Sequence, residues 1–316
     1  MNELDRAVSA VVRECLGVSD GEAVLVICNP ATRELAERLR AEAEAAGADA
    51  VLALMAERES HAAEPPPPLA AAMAKADVVL APTVQSLSHT AARRAATDAG
   101  VRIATLPGVT EEMLARVMSA DMEGLRRRGA AIAEALTGAS EARITTAHGS
   151  DLRMGLAGRE AISDAGELTG RGAFGNLPCG EGFIAPVEGT SEGTLVVDGS
   201  IAAVGIPEEP VTLTVEDGHL VAATGSAGER LMELLEDHGP DGTNVAELGI
   251  GSNERARLTG NVLEDEKILG TAHVAFGASA AIGGTVQVPV HLDCVVMRPD
   301  VTADREPILR AGELLV

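Results

Sequence analysis

The chain has 316 residues, enough for one large domain or two, and its composition excludes several classes of function. Acidic residues outnumber basic ones by 48 to 25, the formal net charge is −23, and there is no Trp, no Tyr and only three Phe. This charge repels phosphate backbones and the bases would find few aromatic platforms, so we expect no nucleic-acid binding. A hydrophobic content of 46% is normal for a globular chain.

The sequence shows no signal for secretion or membrane insertion. The segment Met1–Arg6 is acidic, no apolar stretch follows it, and no apolar run approaches the length that spans a bilayer. The four cysteines, Cys15, Cys28, Cys179 and Cys294, lie far apart and form no Cys-x-x-Cys motif. We therefore expect a cytoplasmic protein that does not bind membranes.

The first third of the chain alternates short apolar runs with longer Ala-rich amphipathic stretches, which predicts βαβ units and a parallel sheet. Strands are predicted at Ala23–Ile27, Ala50–Met55, Asp77–Ala81 and Val101–Thr105. Helices are predicted at Glu3–Leu16, Ala31–Ala46, Leu69–Lys75 and Ser86–Ala99, with a stiff connector at Pro65–Pro68.

A long helix is predicted from Thr110 to about Leu136, and the character of the sequence then changes. Gly and Thr become frequent, and Asp198-Gly199 and Asp217-Gly218 indicate hairpin turns between short strands. We expect an N-terminal α/β domain with a parallel sheet at residues 1–138 and a β-rich α+β metal-binding domain at residues 139–316.

Two histidines lie within apolar, strand-like runs and are the best candidates for chemistry. His273 lies in Ala272–Phe276, and His291 lies in Val288–Val296 with Asp293 two positions after it. Residues i and i+2 of a strand point to the same face, so His291 and Asp293 converge in an apolar region where unpaired charge is costly. A divalent metal offsets that cost, and a second His completes a two-His, one-carboxylate set.

Two further acids fit the same description. Glu181 precedes the apolar Gly182–Pro186, and Glu247 begins the apolar Glu247–Gly251. With His273, His291 and Asp293 they make five donors, which is enough for two metal ions with bridging carboxylates.

Several blocks around these residues occur in a fixed order. They are Asn176–Glu181 with Ala185-Pro186, then Glu247, then Asp265-Glu266-Lys267 followed by Gly270–His273, and finally His291-Leu292-Asp293. This order resembles the aminopeptidase T and aminopeptidase S metallopeptidases. The resemblance implies a dimeric two-metal exopeptidase whose ligands are Glu181, Glu247, His273, His291 and Asp293.

The scaffold is also similar to that of the 2,5-dihydroxypyridine 5,6-dioxygenases, which hold a single ferrous ion by two His and one Asp. This second resemblance implies that His273, His291 and Asp293 are the iron ligands. The aminopeptidases carry a tyrosine seven residues after the His of their third block, and this chain has Ala280 at that position.

Our leading prediction is a metal-dependent aminopeptidase-like hydrolase that removes N-terminal residues from peptides and acts as a homodimer. A metal-activated water would attack the scissile carbonyl while a second Zn, Co or Mn ion anchors the substrate amine. Glu266 is predicted to be the general base or proton shuttle, and Lys267 an electrophilic helper. An exposed turn with a simple charge pair explains Glu266 and Lys267 equally well.

Two alternatives stay open. The first is a mononuclear Fe(II) dioxygenase that opens the ring of a small dihydroxylated N-heterocycle, for which only Phe174, Phe183 and Phe276 could supply aromatic walls. The second is a non-catalytic protein with a structural metal or a carboxylate-rich dimer interface.

Overall fold

A computed structural model describes residues 2–316 and divides the chain into two compact units. The first unit comprises the chain up to Met122 together with Gly166–Cys179. The second comprises Glu123–Ala165 and Gly180–Val316. The predicted α/β class, with a parallel sheet followed by a β-rich region, is confirmed.

The α-helices, in chain order, are α1 Glu3–Ser9, α2 Arg33–Ala45, α3 Pro67–Met73, α4 Ala91–Ala99, α5 Glu111–Val117, α6 Met122–Leu136, α7 Gly225–Glu236 and α8 Val262–Asp265. A π-helical segment, Ala10–Cys15, continues α1. Short 3-10 segments lie at Pro30–Thr32, Pro240–Thr243 and Ala280–Ile282. Among residues 2–316, no helix is both long enough and apolar enough to span a bilayer.

The strands are β1 Ala23–Cys28, β2 Asp49–Leu54, β3 Val78–Ala81, β4 Arg102–Thr105, β5 Glu141–Thr145, β6 Asp151–Gly155, β7 Ile162–Asp164, β8 Phe174–Asn176 and β9 Glu181–Ile184. The remaining strands are β10 Glu192–Val197, β11 Val211–Glu216, β12 His219–Ala223, β13 Val245–Gly251, β14 Ala272–Gly277, β15 His291–Val296, β16 Asp300–Ala303, β17 Glu306–Arg310 and β18 Glu313–Leu314.

The first unit is built on a parallel sheet with the strand order β2-β1-β3-β4-β8. Its four predicted strands are present within one or two residues of their predicted ends. The central strands β1 and β3 are almost completely buried, as expected for parallel strands covered on both faces.

Two of the predicted helices differ from the structure. The predicted helix Thr110–Leu136 is two helices, because the chain turns between Val117 and Met122 and the Ser119 hydroxyl donates to the Arg116 carbonyl. The predicted helix at Ser86 begins only at Ala91, after the Thr90 side chain has capped it.

The domain boundary also lies elsewhere than the predicted residue 138. Helix α6 belongs to the second unit because it packs Ile132 and Leu136 into the core of that unit. The chain later returns to the first unit, where Gly166–Cys179 adds the edge strand β8 to the parallel sheet. A boundary predicted from a change in composition along the sequence does not reveal that a later segment returns to the first unit.

The second unit contains an antiparallel sheet of eight strands, in the order β12-β11-β10-β6-β5-β16-β17-β18. Asp217-Gly218 is the predicted hairpin turn between β11 and β12, and both residues have positive φ. The prediction for Asp198-Gly199 is wrong. The Gly199 N–H donates to the Val295 carbonyl and Asp198 accepts from the Met297 N–H, which joins this segment to the β15 region.

The second sheet of this unit has five antiparallel strands in the order β15-β14-β13-β9-β7. Its central strands β13 and β14 are buried along their whole length. One side of the sheet packs into the apolar core of the unit. The other side carries the candidate site.

The first unit offers a test of acid stability at the pair Glu22 and Arg102. The two terminal guanidinium nitrogens of Arg102, Nη1 and Nη2, donate to the Glu22 carboxylate at 2.9 and 2.8 Å. Burial raises the pKa of Glu22, but the bonds from Arg102 and from the Ser19 N–H outweigh it and leave the pKa lowered. The pair therefore stabilises the fold above the unfolded pKa of the carboxyl, and that contribution is lost as pH falls through the folded pKa.

We expect Arg102→Met to lower the free energy of unfolding at pH 7 by about 1 kcal/mol, measured by urea denaturation. The difference between variant and wild type should shrink at pH 3. Arg40→Met, which removes helical surface charge pairs with Glu37 and Glu44, is the control and should change stability less. An Arg102→Met effect that persists at pH 3 would contradict this account.

Candidate metal centre

The five-stranded sheet has two chemically different faces because successive residues of a strand point to opposite sides. In β14, Val274 and Phe276 belong to the apolar core, and His273 lies on the opposite face. In β15, Leu292 and Cys294 belong to the core, so His291 and Asp293 lie on that same opposite face. Simple alternation thus separates the core from the polar site.

The register between strands brings the polar residues together. Ala275 of β14 is paired with Glu247 on one side and with Asp293 on the other. The further pairs on this face are Gly251 with Glu181, Gly249 with His273 and Gly277 with His291. Four neighbouring strands therefore contribute to one cluster, with small residues between the charged ones.

Two glycines provide space that a side chain would fill. A Cβ on Gly249 would lie 2.0 Å from His273 Nε2, so the imidazole rests directly over this glycine. A Cβ on Gly251 would lie 2.1 Å from the Ile268 carbonyl oxygen, so this glycine lets the segment after α8 lie on the sheet. Lys267 belongs to that segment, and its carbonyl accepts a hydrogen bond from the Asn253 N–H at 2.8 Å.

His273 is fully buried between two carboxylates. Its Nε2 lies 3.1 Å from Glu181 Oε2 and 3.2 Å from Glu247 Oε1. Glu181 Oε2 has no hydrogen-bond partner. His273 Nε2 hydrogen-bonds to Glu247 Oε1, so the cluster contains one buried carboxylate oxygen whose charge is left without a hydrogen bond.

His291 is the second imidazole of the cluster. Its Nε2 lies 3.4 Å from Glu247 Oε2 and 3.6 Å from Asp293 Oδ1. Its Nδ1 lies 2.8 Å from the Ala278 carbonyl oxygen, to which it donates. That bond places a proton on Nδ1 and turns Nε2 towards the carboxylates, an orientation found in many metal-binding histidines.

Glu266 and Lys267 are buried, so the interpretation of an exposed turn is wrong. Lys267 is completely buried and Glu266 is 7% exposed. The Lys267 ammonium lies 2.5 Å from Glu181 Oε1 and 2.5 Å from Glu266 Oε1. It therefore bridges two carboxylates at the edge of the cluster.

The pKa values of the acids reflect their different surroundings. Burial raises the pKa of Glu247, but hydrogen bonds from His273 and His291 lower it to about 2. Burial raises the pKa of Glu266 to about 8. The positive charge of Lys267 lowers this pKa, but the negative charges of Asp293 and Glu181 counteract that effect. Glu247 is thus a permanent anion, whereas Glu266 can retain a proton near neutral pH.

Both imidazoles are drawn towards the charged form. Burial lowers the pKa of His273, but the nearby carboxylates of Glu181 and Glu247 raise it well above the ordinary value. Burial likewise opposes the charge of His291, and the nearby Asp293 and Glu247 raise its pKa. The carboxylates carry more negative charge than Lys267 balances, so the cluster favours cations.

Three sets of donors have their ligand atoms within 4.8 Å of one another. They are Glu181, Glu247 and His273; Glu247, His291 and Asp293; and Glu266, His273 and Asp293. Among residues 2–316, none of these sets contains both imidazoles, although each imidazole shares a set with Asp293, and the two-His, one-Asp ligand set stays a prediction. One imidazole with two carboxylates is a nitrogen and oxygen donor set that suits a divalent ion such as Fe(II), Mn(II) or Zn(II).

All seven residues singled out in the sequence meet in this cluster, but sequence reasoning missed some of its parts. Asp164 of β7 is buried, pairs with Glu181 in the sheet and helps to raise the pKa of Lys267 well above normal, against the effect of burial. Asp164 lies in a short segment with no pattern around it. The Ala278 carbonyl is invisible to sequence motifs because any residue carries one.

The fold and the cluster define a two-unit α/β protein with a buried group of histidine and carboxylate side chains on an antiparallel sheet. The family profile described as NicX, 2,5-dihydroxypyridine 5,6-dioxygenase, matches residues 3–316. The chain belongs to this family.

Individual relatives agree with the family assignment. The curated 2,5-dihydroxypyridine 5,6-dioxygenase of Pseudomonas putida KT2440 is 26% identical over 263 residues, which covers 77% of this chain and 72% of the relative. The solved structure of the 2,5-dihydroxypyridine dioxygenase from Pseudomonas putida KT2440 superposes with a TM-score of 0.85 at 21% identity, covering 99% of this chain and 97% of the other.

The aminopeptidase resemblance reflects a shared scaffold. Wild-type AmpT from Thermus thermophilus superposes with a TM-score of 0.72 at 19% identity, covering 99% of both chains. The prediction of an aminopeptidase, and with it of a protease or hydrolase, is wrong, because the family profile and the curated relative are dioxygenases. Ala280, at the position of the aminopeptidase tyrosine, is exposed at the start of a 3-10 turn.

The space over Gly249 can be tested by filling it. We expect Gly249→Ala to lower the free energy of unfolding by about 1–3 kcal/mol in urea denaturation, because the added methyl collides with the His273 ring. Gly170→Ala is the matched control, since nothing lies within 4 Å of the position of its Cβ. Equal stability of the two variants would show that the imidazole does not rest over Gly249.

Proposed function

We propose that this protein is a ring-cleaving dioxygenase of the 2,5-dihydroxypyridine type that uses a single ferrous ion. The observation that carries this proposal is the family match over nearly the whole chain, from residue 3 to residue 316. The buried nitrogen and oxygen donors on the sheet supply a site of suitable chemistry.

Glu247, His291 and Asp293 would hold the ion. Their donor atoms form the one set of the three that includes neither Glu181 nor Glu266, the carboxylates that Lys267 binds. A bound ferrous ion supplies the redox chemistry that allows dioxygen to react with an aromatic ring. This proposal replaces the predicted pair of Zn, Co or Mn ions with one iron ion.

The remaining polar groups of the cluster handle protons and orientation. The Ala278 carbonyl fixes the ring of His291 through Nδ1. Glu266, which Lys267 holds by one oxygen, is the carboxyl group that we assign to receive the proton of a substrate hydroxyl. Lys267 keeps that carboxyl in place and balances its charge when the proton leaves.

Phe183 provides an aromatic wall beside the cluster. It lies on the same face of β9 as Glu181 and pairs with Gly249, over which the His273 ring rests. Phe183 is half-buried, whereas Phe276 points into the core. A planar N-heterocycle would stack on Phe183 with its hydroxyl groups towards the polar residues.

The reaction is tested with protein loaded anaerobically with Fe(II) and then mixed with 2,5-dihydroxypyridine and air. We expect uptake of one dioxygen per substrate, followed on an oxygen electrode, and loss of the aromatic absorbance of the substrate. Tightly bound iron without oxygen uptake would overturn the proposed function and favour a structural metal site.

A second prediction concerns the ligands. We expect Asp293→Asn to lower iron affinity at least tenfold, because a neutral amide replaces an anionic donor, and to abolish turnover at limiting iron. Asp49→Asn, at an exposed position on β2, should bind iron as the wild type does. Unchanged iron content in Asp293→Asn after dialysis would exclude Asp293 as a ligand.

A third prediction concerns the aromatic wall. We expect Phe183→Leu to raise KM for the heterocycle about threefold to tenfold, as loss of a stacking contact should, with iron content unchanged. Phe276→Leu should lower stability and leave KM unchanged, because that ring is buried in the core. Equal KM values for the wild type and Phe183→Leu would rule out the stacking role.

A further inference from the structure

The loop between β14 and β15 joins the two strands that carry His273 and His291. None of the described residues 280–290 of this loop is buried, and Val290 alone among them packs against the apolar core of the unit. Ser279, at the start of the loop, is 1% exposed, and its hydroxyl accepts a hydrogen bond from the Val286 N–H at 3.2 Å. The conformation of the loop therefore depends mainly on polar contacts.

Glu188 makes most of the polar contacts between this loop and the rest of the unit. Its Oε1 accepts hydrogen bonds from the Thr285 N–H at 2.7 Å and from the Ser279 hydroxyl at 3.2 Å. Its Oε2 accepts from Arg159, whose other terminal nitrogen donates to the Gly283 carbonyl. One carboxylate and one guanidinium thus bind the loop at three residues.

The Glu188 carboxylate projects from a turn that is tied to the end of β6. The Val187 N–H donates to the Gly155 carbonyl at 2.8 Å, and the Gly155 N–H donates to the Thr190 hydroxyl at 3.1 Å. On the side of the loop, Gly284 leaves room for the carboxylate, because a Cβ there would lie 2.9 Å from Glu188 Oε1. The contact between turn and loop is therefore closely fitted.

Glu188 is an anion at neutral pH. Burial raises the pKa of Glu188, but hydrogen bonds from its own N–H and from Thr285, with the charge of Arg159, outweigh burial and leave the pKa lowered. Both oxygens of this side chain accept hydrogen bonds. A neutral amide in its place has one acceptor oxygen and cannot accept at both ends.

A short path leads from Glu188 to His291. The Ala278 carbonyl, which accepts from His291 Nδ1 at 2.8 Å, and the Ser279 N–H belong to one peptide plane. That N–H donates to the Val286 carbonyl at 3.0 Å, and Glu188 holds the Ser279 hydroxyl. A shift of Ser279 therefore tilts the carbonyl that fixes the imidazole.

We propose that Glu188 is a positioning residue for His291, because together with Arg159 it holds the peptide plane whose carbonyl sets the orientation of this imidazole. Without that hydrogen bond the ring can rotate, and Nε2 no longer faces Glu247 and Asp293 at fixed distances. The inference rests on the proposed function in treating His291 as a metal ligand, and it concerns the ring before any ion binds.

The test follows the Nδ1 proton of His291 in metal-free protein without substrate. Its exchange with water is measured by nuclear magnetic resonance on protein labelled with nitrogen-15, and His291→Asn identifies the signal by its loss. We expect exchange to be about tenfold faster in Glu188→Gln, while the backbone N–H groups of β13 exchange as in the wild type, which excludes global unfolding as the cause.

Asp151→Asn is the matched control. Asp151 accepts two hydrogen bonds from Arg143 at the surface of the same unit, so this variant also breaks a carboxylate–guanidinium pair. We expect the His291 proton to exchange in it as in the wild type. Unchanged exchange in Glu188→Gln would overturn the inference, as would equal acceleration in Asp151→Asn.

If Glu188→Gln does not fold, Ser279→Ala decides, since it removes the hydroxyl through which Glu188 holds the peptide plane. Exchange as slow as in the wild type would then overturn the inference, and faster exchange would support it. These measurements involve neither iron nor dioxygen. Their failure would leave the proposed function intact, whereas Fe(II)-loaded wild type without oxygen uptake would refute the proposed function and not the orientation of His291 by Glu188.

Discussion

The structure of the site depends on one constraint, the burial of several carboxylates on one face of an antiparallel sheet. Glu181, Glu247 and Asp293 are each less than 10% exposed, and buried charge is stable only when it is paired. Lys267 and the two imidazoles supply part of that pairing. Three features hold these opposite charges close together. They are the strand register, the Ala278 carbonyl, and the two glycines that make room for His273 and for the segment that carries Lys267.

Much of this arrangement could be predicted because it repeats along a strand. The alternation in Ala272–Gly277 and His291–Val296 separates the core from the polar face, and His273, His291 and Asp293 lie together on that face. The predictions that were wrong concern features that depend on contacts between segments far apart in the sequence. The break in the helix after Val117 and the return of Gly166–Cys179 to the first unit are decided by packing against distant segments. Local patterns do not contain that information.

The error in function has a physical origin. The sequence segments that resemble the aminopeptidases belong to a scaffold that both kinds of enzyme share. AmpT has the same fold at 19% identity. Carboxylates and imidazoles on such a sheet suit hydrolytic and oxidative metal chemistry alike. The donor types therefore could not decide the reaction. The family match from residue 3 to residue 316 and the curated relative remove the peptidase interpretation.

The source of the oxygen in the product tests the central claim most directly. The Fe(II)-loaded protein is mixed with 2,5-dihydroxypyridine under dioxygen labelled with oxygen-18. The mass of the ring-opened product is then measured by mass spectrometry. A ring-cleaving dioxygenase places both labelled atoms in the product. A product whose new oxygen comes only from water would contradict the account, because the centre would then act as a hydrolytic one.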